Sequence, residues 1–397
     1  MPLTSVRQSA VFRAISITLA LGCGLQDKWW LFATPPCPDY NWPTMRALVT
    51  GSTGFIGANL VEGLISAGHQ VRAMHRSSSR LDALAGLVCE HAIGDVLDPA
   101  TLGSAMEDVD WVFHVAAVSD YWRQSGTAWL YRVNVGGTRN VLQAALERGV
   151  RRVVLTSSAA SLGVPEGENL TSAFPSPPPS EGQENGRQAT SKSGLLNESS
   201  VFNLSPTQWP YAHSKFLAER VVAEYVDRGL DALIVNPTAV FGPKDLNLIS
   251  GSLIIAVCLH QLPAIPPGGA NYVDVSDVVA GHIAAAERGQ TGERYILSGH
   301  NLTQDEAIAI ISQIAGVSPP RFQLPRFLIG PLAMGVDWFN QAWPGEPMVA
   351  GDQVRLTRYT LFYDGSKAKQ ELNLSPPVPF AESVERTIQW YHDNGYL

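Results

Sequence analysis

Charge is scarce in this chain. Only 16% of its 397 residues are Asp, Glu, Lys or Arg, against 45% hydrophobic ones. That balance is the reverse of a disordered polymer's and predicts a substantial buried core, in one large domain or two. Basic residues are the scarcer sign, 28 against 36 acidic, for a net charge of −8. With no basic block interleaved with aromatics, nucleic acid is not the expected partner. Cysteine is scarcer still: Cys23, Cys37, Cys89 and Cys258 show neither disulfide nor metal spacing. They fit reduced thiols in a cytoplasmic enzyme without a bound metal. Internal repeats are absent too.

A membrane-length apolar run is also missing from the start of the chain. Arg7 and Arg13 precede the apolar stretch Ala14 to Leu25, which is too short to span a bilayer. The stretch has the charged start and apolar middle of a signal peptide but no small-residue cleavage site. Residues 1–44 are therefore expected to be a non-core N-terminal extension, with Met45 falling one residue before the first core strand. No membrane partner is expected.

What the chain does have begins at Arg46. An apolar run to Thr50 predicts a buried strand and stops at a glycine turn, Gly51-Ser52-Thr53-Gly54-Phe55-Ile56-Gly57. An apolar-periodic run from Phe55 to Ala67 then predicts a helix. In that context Gly51 permits the tight turn, Gly54 lets the backbone approach a pyrophosphate, and Gly57 lets helix and strand pack closely. The helix N-terminus offers unpaired N–H groups to phosphates. Thr53, Phe55 and Ile56 belong to the same predicted cofactor turn.

Further strands are predicted over Gln70 to His75, Glu90 to Ile93, Trp111 to Ala117, Arg152 to Thr156, Ala232 to Pro237 and Arg294 to Leu297. Helices alternate with them, one running through Asn134, Leu142 and Glu147. This alternation predicts an α/β fold with a doubly wound parallel sheet, whose ligands sit beyond the carboxyl ends of the strands. Residues 45–241 are read as the dinucleotide-binding domain. Within it, a Pro- and Ser-rich insertion at about 168–195 reads as a flexible loop. Residues 242–397 are read mainly as a smaller substrate-binding domain, with 272–298 returning to the parallel sheet.

Tyr211 and Lys215 lie four apart and share a helix face. A nearby ammonium favours the phenolate and lowers the phenol pKa toward a useful range. Ser158, delivered by a strand end, can hydrogen-bond a carbonyl oxygen and stabilise charge on it. Ser157 reads rather as a cap or turn residue. No G-x-S-x-G elbow surrounds Ser158, so a serine hydrolase is not indicated. Trp122, Trp129, Phe241 and Leu253 fit either an apolar cleft or core packing.

Taken in order, several stretches resemble the extended short-chain dehydrogenase/reductase superfamily, in its NAD-dependent epimerase/dehydratase branch. They are Thr50 to Gly57, Gly94-Asp95, His114 to Ala117, Asn134 to Thr138, Thr156 to Ser158, Tyr211 to Lys215, Asn236 to Pro243 and Tyr272 to Val275. Dihydroflavonol 4-reductase-like and hopanoid-associated sugar-epimerase-like proteins are the most similar groups. The resemblance implies Tyr211 as proton donor, Lys215 as its ribose-binding partner, and Ser158 as the group polarising a carbonyl. It implies Asp95 and Val96 at the adenine, Ala116 along the cofactor channel and Pro237 near the carboxamide. Asn134 is implied as either a helix-stabilising or proton-relay group or simple packing, and His114 as a core histidine. Asn236 departs from the arginine that many members carry there. Family members are monomers or homodimers.

NAD-preferring members place a carboxylate at the end of the second strand. Here His75 and Arg76 stand there, and a guanidinium grips a 2′-phosphate, so NADP(H) is the expected cofactor, with NAD possible. The expected function is reduction of an aldehyde or ketone by an NADP(H)-dependent oxidoreductase. The alternatives are a nucleotide-sugar epimerase or dehydratase with tightly bound NAD(P), and a 3-beta-hydroxysteroid dehydrogenase-like enzyme. A non-catalytic regulator would have no need of the acid–base pair.

Overall fold

Why the short apolar runs become strands is visible in how their side chains divide. A computed structural model describes residues 43–119, 126–165, 194–246, 248, 251–342 and 351–397. Residues 44–397 form one compact unit. The expected N-terminal extension lies outside the described residues up to residue 42, as does the expected insertion up to residue 193.

In β1 (Arg46–Thr50), Ala47 and Val49 join one core cluster, while Leu48 joins the other. The same two-residue alternation sorts β4 (Trp111–His114), β5 (Arg152–Thr156) and β6 (Ala232–Pro237): Phe113, Val154 and Leu233 on one face, Val112, Val153 and Ile234 on the other. Strands buried on both faces must be apolar throughout. Each fully buried Leu, Val or Phe contributes about 1.5–3 kcal/mol. The first cluster is covered by helices Phe55–Ser66 and Val275–Arg288, the second by helices Pro99–Ala105, Thr138–Arg148 and Pro210–Val226.

With β2 (Gln70–His75), β3 (Glu90–Ile93) and β9 (Arg294–Leu297), these strands form a seven-stranded parallel sheet in the order β3-β2-β1-β4-β5-β6-β9. A smaller sheet is centred on β8 (Gly269–Asp274), which pairs with β7 (Ala239–Phe241), β10 (His300–Thr303) and β11 (Thr360–Leu361). So within the stretch 272–298 the first residues belong to the smaller sheet, and only the helix and β9 join the parallel one.

Two aromatic readings resolve as packing. Phe241 packs against Tyr272 and Phe380 in a third core cluster, where Leu253 also packs, and Trp129 packs on the second cluster. Trp122 lies outside the described residues. The helix expected through Asn134 is present, with one irregularity: Arg132–Gly137 is π-helical, continuous with Gly126–Tyr131 before it and Thr138–Arg148 after it. Asn134 explains it, its amide accepting from the Val118 N–H at 2.7 Å and donating to the Val118 carbonyl and Ser214 Oγ. A π-bulge of this kind inside a helix often marks a functional site.

Two buried histidines lie beneath the sheet edge. His114 bridges Thr50 and Thr138 (2.9 and 3.0 Å), and His282 bridges Thr156 and the Val278 carbonyl. Burial lowers His114 to about 3, helped by the nearby Lys215 ammonium, and burial lowers His282 to about 4. Unfolded, both titrate near 6.5, so the unfolded chain takes up protons that the folded one refuses. Stability is therefore complete above pH 6.5 and falls as pH drops toward 4. At pH 5 the loss is about 2 kcal/mol for each imidazole, from roughly 1.5 pH units at 1.36 kcal/mol per unit. Urea unfolding at pH 7 and pH 5 measures it. His282→Gln removes about 2 kcal/mol of the pH dependence, and identical slopes in the two proteins would refute the assignment.

Candidate active site

The register of the sheet brings the candidate residues to one edge. Thr50 pairs with Met74 and His114, Met74 with Ala92, His114 with Leu155, and Thr156 with Val235. Gly51, Arg76, Asp95, Ala116, Ser158 and Pro237 all lie within three residues beyond those aligned positions. In an open parallel sheet this carboxyl edge is where ligands bind.

The glycine turn is sterically determined. Gly51 has φ +67°, and a Cβ there would sit 2.7 Å from the Ala116 backbone. At Gly57 a Cβ would lie 2.1 Å from the Gly51 carbonyl oxygen. Gly54 is different: its φ of −86° suits any residue, and a Cβ would meet only the Gly51 carbonyl oxygen, at 3.3 Å. The loop is held from below by Ser52 Oγ donating to the Met74 carbonyl and by the Ala116 N–H donating to Thr50 Oγ1. Helix Phe55–Ser66 has no side-chain cap and no acidic residue in its first turn. Its N–H groups and positive end are thus left to an anion, with Thr53, Phe55 and Ile56 half-buried around it. These residues fit a dinucleotide's pyrophosphate.

Arg76 stands exposed at the end of β2, while Arg80 pairs with Asp82 at 2.8 Å. The Gly94 N–H donates to the His75 carbonyl, bringing Asp95 beside that strand end. Asp95 accepts from the Leu97 N–H. Val96 is buried against Gly137, where a Cβ would come within 2.8 Å of it, so its side chain is core.

Tyr211 occupies the first turn of helix Pro210–Val226, set by Pro210 at its start. The positive helix end favours the phenolate there. Its phenol shares a hydrogen bond with Ser158; burial raises the phenol pKa above its ordinary value, and that bond partly offsets the rise. One turn on, the buried Lys215 ammonium donates to the Thr156 carbonyl at 2.9 Å. Burial lowers its pKa to about 8, opposed by the Glu219 carboxylate a further turn along. The phenol, hydroxyl and ammonium thus converge at the end of β5. Ser158 also caps the short turn Ala159–Leu162, accepting from the Ala160 N–H at 3.2 Å. The capping expected of Ser157 falls to its neighbour, because Ser157 turns inward.

Its partner is a group not singled out in the sequence. Glu219 accepts from Ser157 Oγ (2.5 Å), Ser161 Oγ (2.6 Å), Asn236 Nδ2 (2.7 Å) and Arg294 Nη1 (3.3 Å). Asn236 also donates to the Ser158 carbonyl at 3.1 Å. A guanidinium does reach this cluster, but from β9 rather than from position 236. The signal was present in the sequence as a glutamate one turn beyond Lys215, on the same helix face. Also unremarked were Trp209, Tyr359 and Leu356, which pack with Val164, Leu204 and Ala212 beside the Ser158 turn.

A glycine turn under an open helix end, with a Tyr–Lys–Ser set across the same sheet edge, defines an NAD(P)-dependent enzyme acting on CH–OH or C=O groups. The sequence pattern of the NAD dependent epimerase/dehydratase family matches residues 47–298. The chain belongs to that family, within the extended short-chain dehydrogenases/reductases. A Synechocystis sp. protein named "Putative dihydroflavonol 4-reductase" is 34% identical, over 88% of this chain and 95% of its own. "Sterol demethylase protein B" of Methylococcus capsulatus is 31% identical, over 89% of this chain and 100% of its own. Among solved structures, that of gox2253 superimposes with a TM-score of 0.71 at 33% identity, covering 89% of this chain and 100% of that one. Among the described residues no helix is long and apolar enough to cross a membrane, and no cluster of metal-ligating side chains occurs.

Proposed function

We propose that this chain is an NADP(H)-dependent reductase of an apolar aldehyde or ketone, acting in the cytoplasm. The observation that carries the proposal is the convergence of the Ser158 hydroxyl, the Tyr211 phenol and the Lys215 ammonium at the end of β5. The reduced nicotinamide supplies a hydride when bound. Ser158 holds the carbonyl oxygen, and its capping bond leaves its own proton free to donate. Tyr211 delivers the proton: a phenol is protonated at neutral pH at its ordinary pKa, and burial raises that pKa further. The resulting phenolate is stabilised by the helix end and by Lys215. The ammonium, lowered to about 8, is charged at pH 7 and loses its charge above pH 8, so turnover declines there. Lys215 and Pro237 hold the cofactor's ribose and carboxamide, Asp95 and the Val96 backbone flank its adenine, and Ala116 lines its channel. Residues 242–397, apart from the helix and β9, form the substrate side, with Trp209, Leu356 and Tyr359 as its apolar wall. Sterol and flavonoid names among relatives agree with such a wall.

Arg76 is assigned to the 2′-phosphate. Arg76→Asp raises KM for NADPH on the order of 100-fold, about 2.7 kcal/mol, with little change for NADH. Equal changes for both would dismiss the assignment. The function itself is tested by offering NADPH with aldehydes, ketones and nucleotide sugars while following the absorbance of the reduced nicotinamide. Net consumption with an apolar carbonyl is expected. Tightly held cofactor, unconsumed while a nucleotide sugar is converted, would overturn it in favour of an epimerase.

A further inference from the structure

Helix Ile329–Ala342 turns only a narrow stripe inward, Ile329 and Ala333 being 1% and 0% exposed. Its outer face carries Leu332, Met334, Trp338 and Phe339, and Phe327 of the preceding turn Arg326–Leu328 extends it, the five being from 47% to 75% exposed. At 100° per residue these fall on one continuous side. Large apolar side chains left in water in one patch mark a surface that is covered in use. The exposed charges along the described part of the patch are cationic. Along the described residues 319–342 and 351–361, every charged residue classed as exposed is an arginine, Arg321, Arg326 and Arg358, of which Arg326 also donates to Thr360 Oγ1. Asp337, the acid on this helix, is paired with Arg355. This local excess of cations stands in a chain of net charge −8.

We infer that this face docks on a lipid bilayer carrying anionic headgroups, with the helix lying in the interface. Aromatic and methionine side chains enter the acyl boundary, and the arginines meet the phosphates. At 1.5 Å per residue, 14 residues make about 21 Å, too short to span. Self-association through this face would crowd like-charged arginines around one patch. The inference revises the expectation of no membrane partner, and it stands apart from the reductase reading. Where that reading holds, the placement has a use: the helix packs on Gly351–Leu356, and Leu356 belongs to the apolar wall beside Tyr211.

The test is co-sedimentation of the full chain with vesicles of phosphatidylcholine, with and without phosphatidylglycerol. Binding to the anionic vesicles is expected, falling several-fold when salt is raised. Phe327→Ser combined with Trp338→Ser reduces it at least ten-fold while leaving NADPH binding unchanged, which shows the fold is intact. Arg321→Glu combined with Arg358→Glu abolishes the preference for anionic vesicles. Binding that survives the double serine change but disappears on deleting residues 2–44 overturns the inference. So does failure of the unaltered chain to bind either vesicle, or a dimer that the serine changes dissociate without any vesicle binding.

Discussion

Tyr211→Phe lowers kcat by about 10²–10⁴-fold, the usual contribution of a positioned general acid. NADPH affinity stays within about two-fold, because the change removes one oxygen from a ring still held at the start of its helix. The phenol shares a hydrogen bond with Ser158, so the two hydroxyls act as a unit. Ser158→Ala on its own therefore loses most of the same activity, and the double variant is little worse than Tyr211→Phe. Steady-state kinetics with fluorescence titration of NADPH separates the two parameters. A fall in cofactor affinity that matches the fall in kcat would assign Tyr211 to binding, and retained activity would remove it from the chemistry.

The second large effect is on folding. Gly57→Ala places a methyl group 2.1 Å from the Gly51 carbonyl oxygen and 2.8 Å from its carbon. Both are backbone atoms of a turn already fixed against Ala116, so neither side can yield. The expected loss is on the order of 3 kcal/mol, enough to lower soluble yield sharply. Gly54→Ala provides the contrast within the same motif. Its backbone conformation is open to alanine and only one carbonyl oxygen must give slightly, so stability falls by about 1 kcal/mol or less while NADPH binding weakens more than ten-fold. Thermal unfolding and cofactor titration of the two variants measure this separation. Similar stability losses in both would mean that the glycines serve packing alone.

Much of this architecture was legible because its signals are local. The bounds of β1, β2, β3, β5, β6 and β9 coincide with the short runs read from the sequence, which end at small or polar residues such as Gly51, Arg76, Gly94, Ser157 and Ser298, and in a doubly wound sheet those ends are also where the site residues stand. Local signals ended where the structure depends on distant partners. Nothing in the stretch around Asn134 announces a π-turn, which exists because that amide grips Val118 across a gap of 16 residues. Likewise the buried cluster joins positions 157, 161, 219, 236 and 294, whose residue types taken singly fit any exposed loop or helix. The aromatics stayed ambiguous for the same reason. Phe241 carries no mark separating a cleft residue from one packed against Tyr272 and Phe380, and only the smaller sheet decides it.

Glu219 tests whether that buried cluster serves the chemistry. Glu219→Gln keeps the shape but removes the charge that holds Ser157, Ser161 and Arg294 and that favours the Lys215 ammonium. The decline of kcat on the alkaline side, set by Lys215 near pH 8, moves to lower pH in this variant. An unmoved pH profile with lowered stability would leave Glu219 a purely structural role.

The central claim is net reduction by hydride transfer beside Tyr211, and the most direct measurement is isotopic. NADPH deuterated at C4 of the nicotinamide is incubated with the enzyme and an accepted apolar carbonyl compound, and the product is analysed by mass spectrometry. The account predicts one deuterium on the new carbinol carbon and one equivalent of NADPH lost per alcohol formed. Conversion of substrate with no loss of NADPH, or an alcohol free of deuterium from either face of the labelled ring, would contradict it.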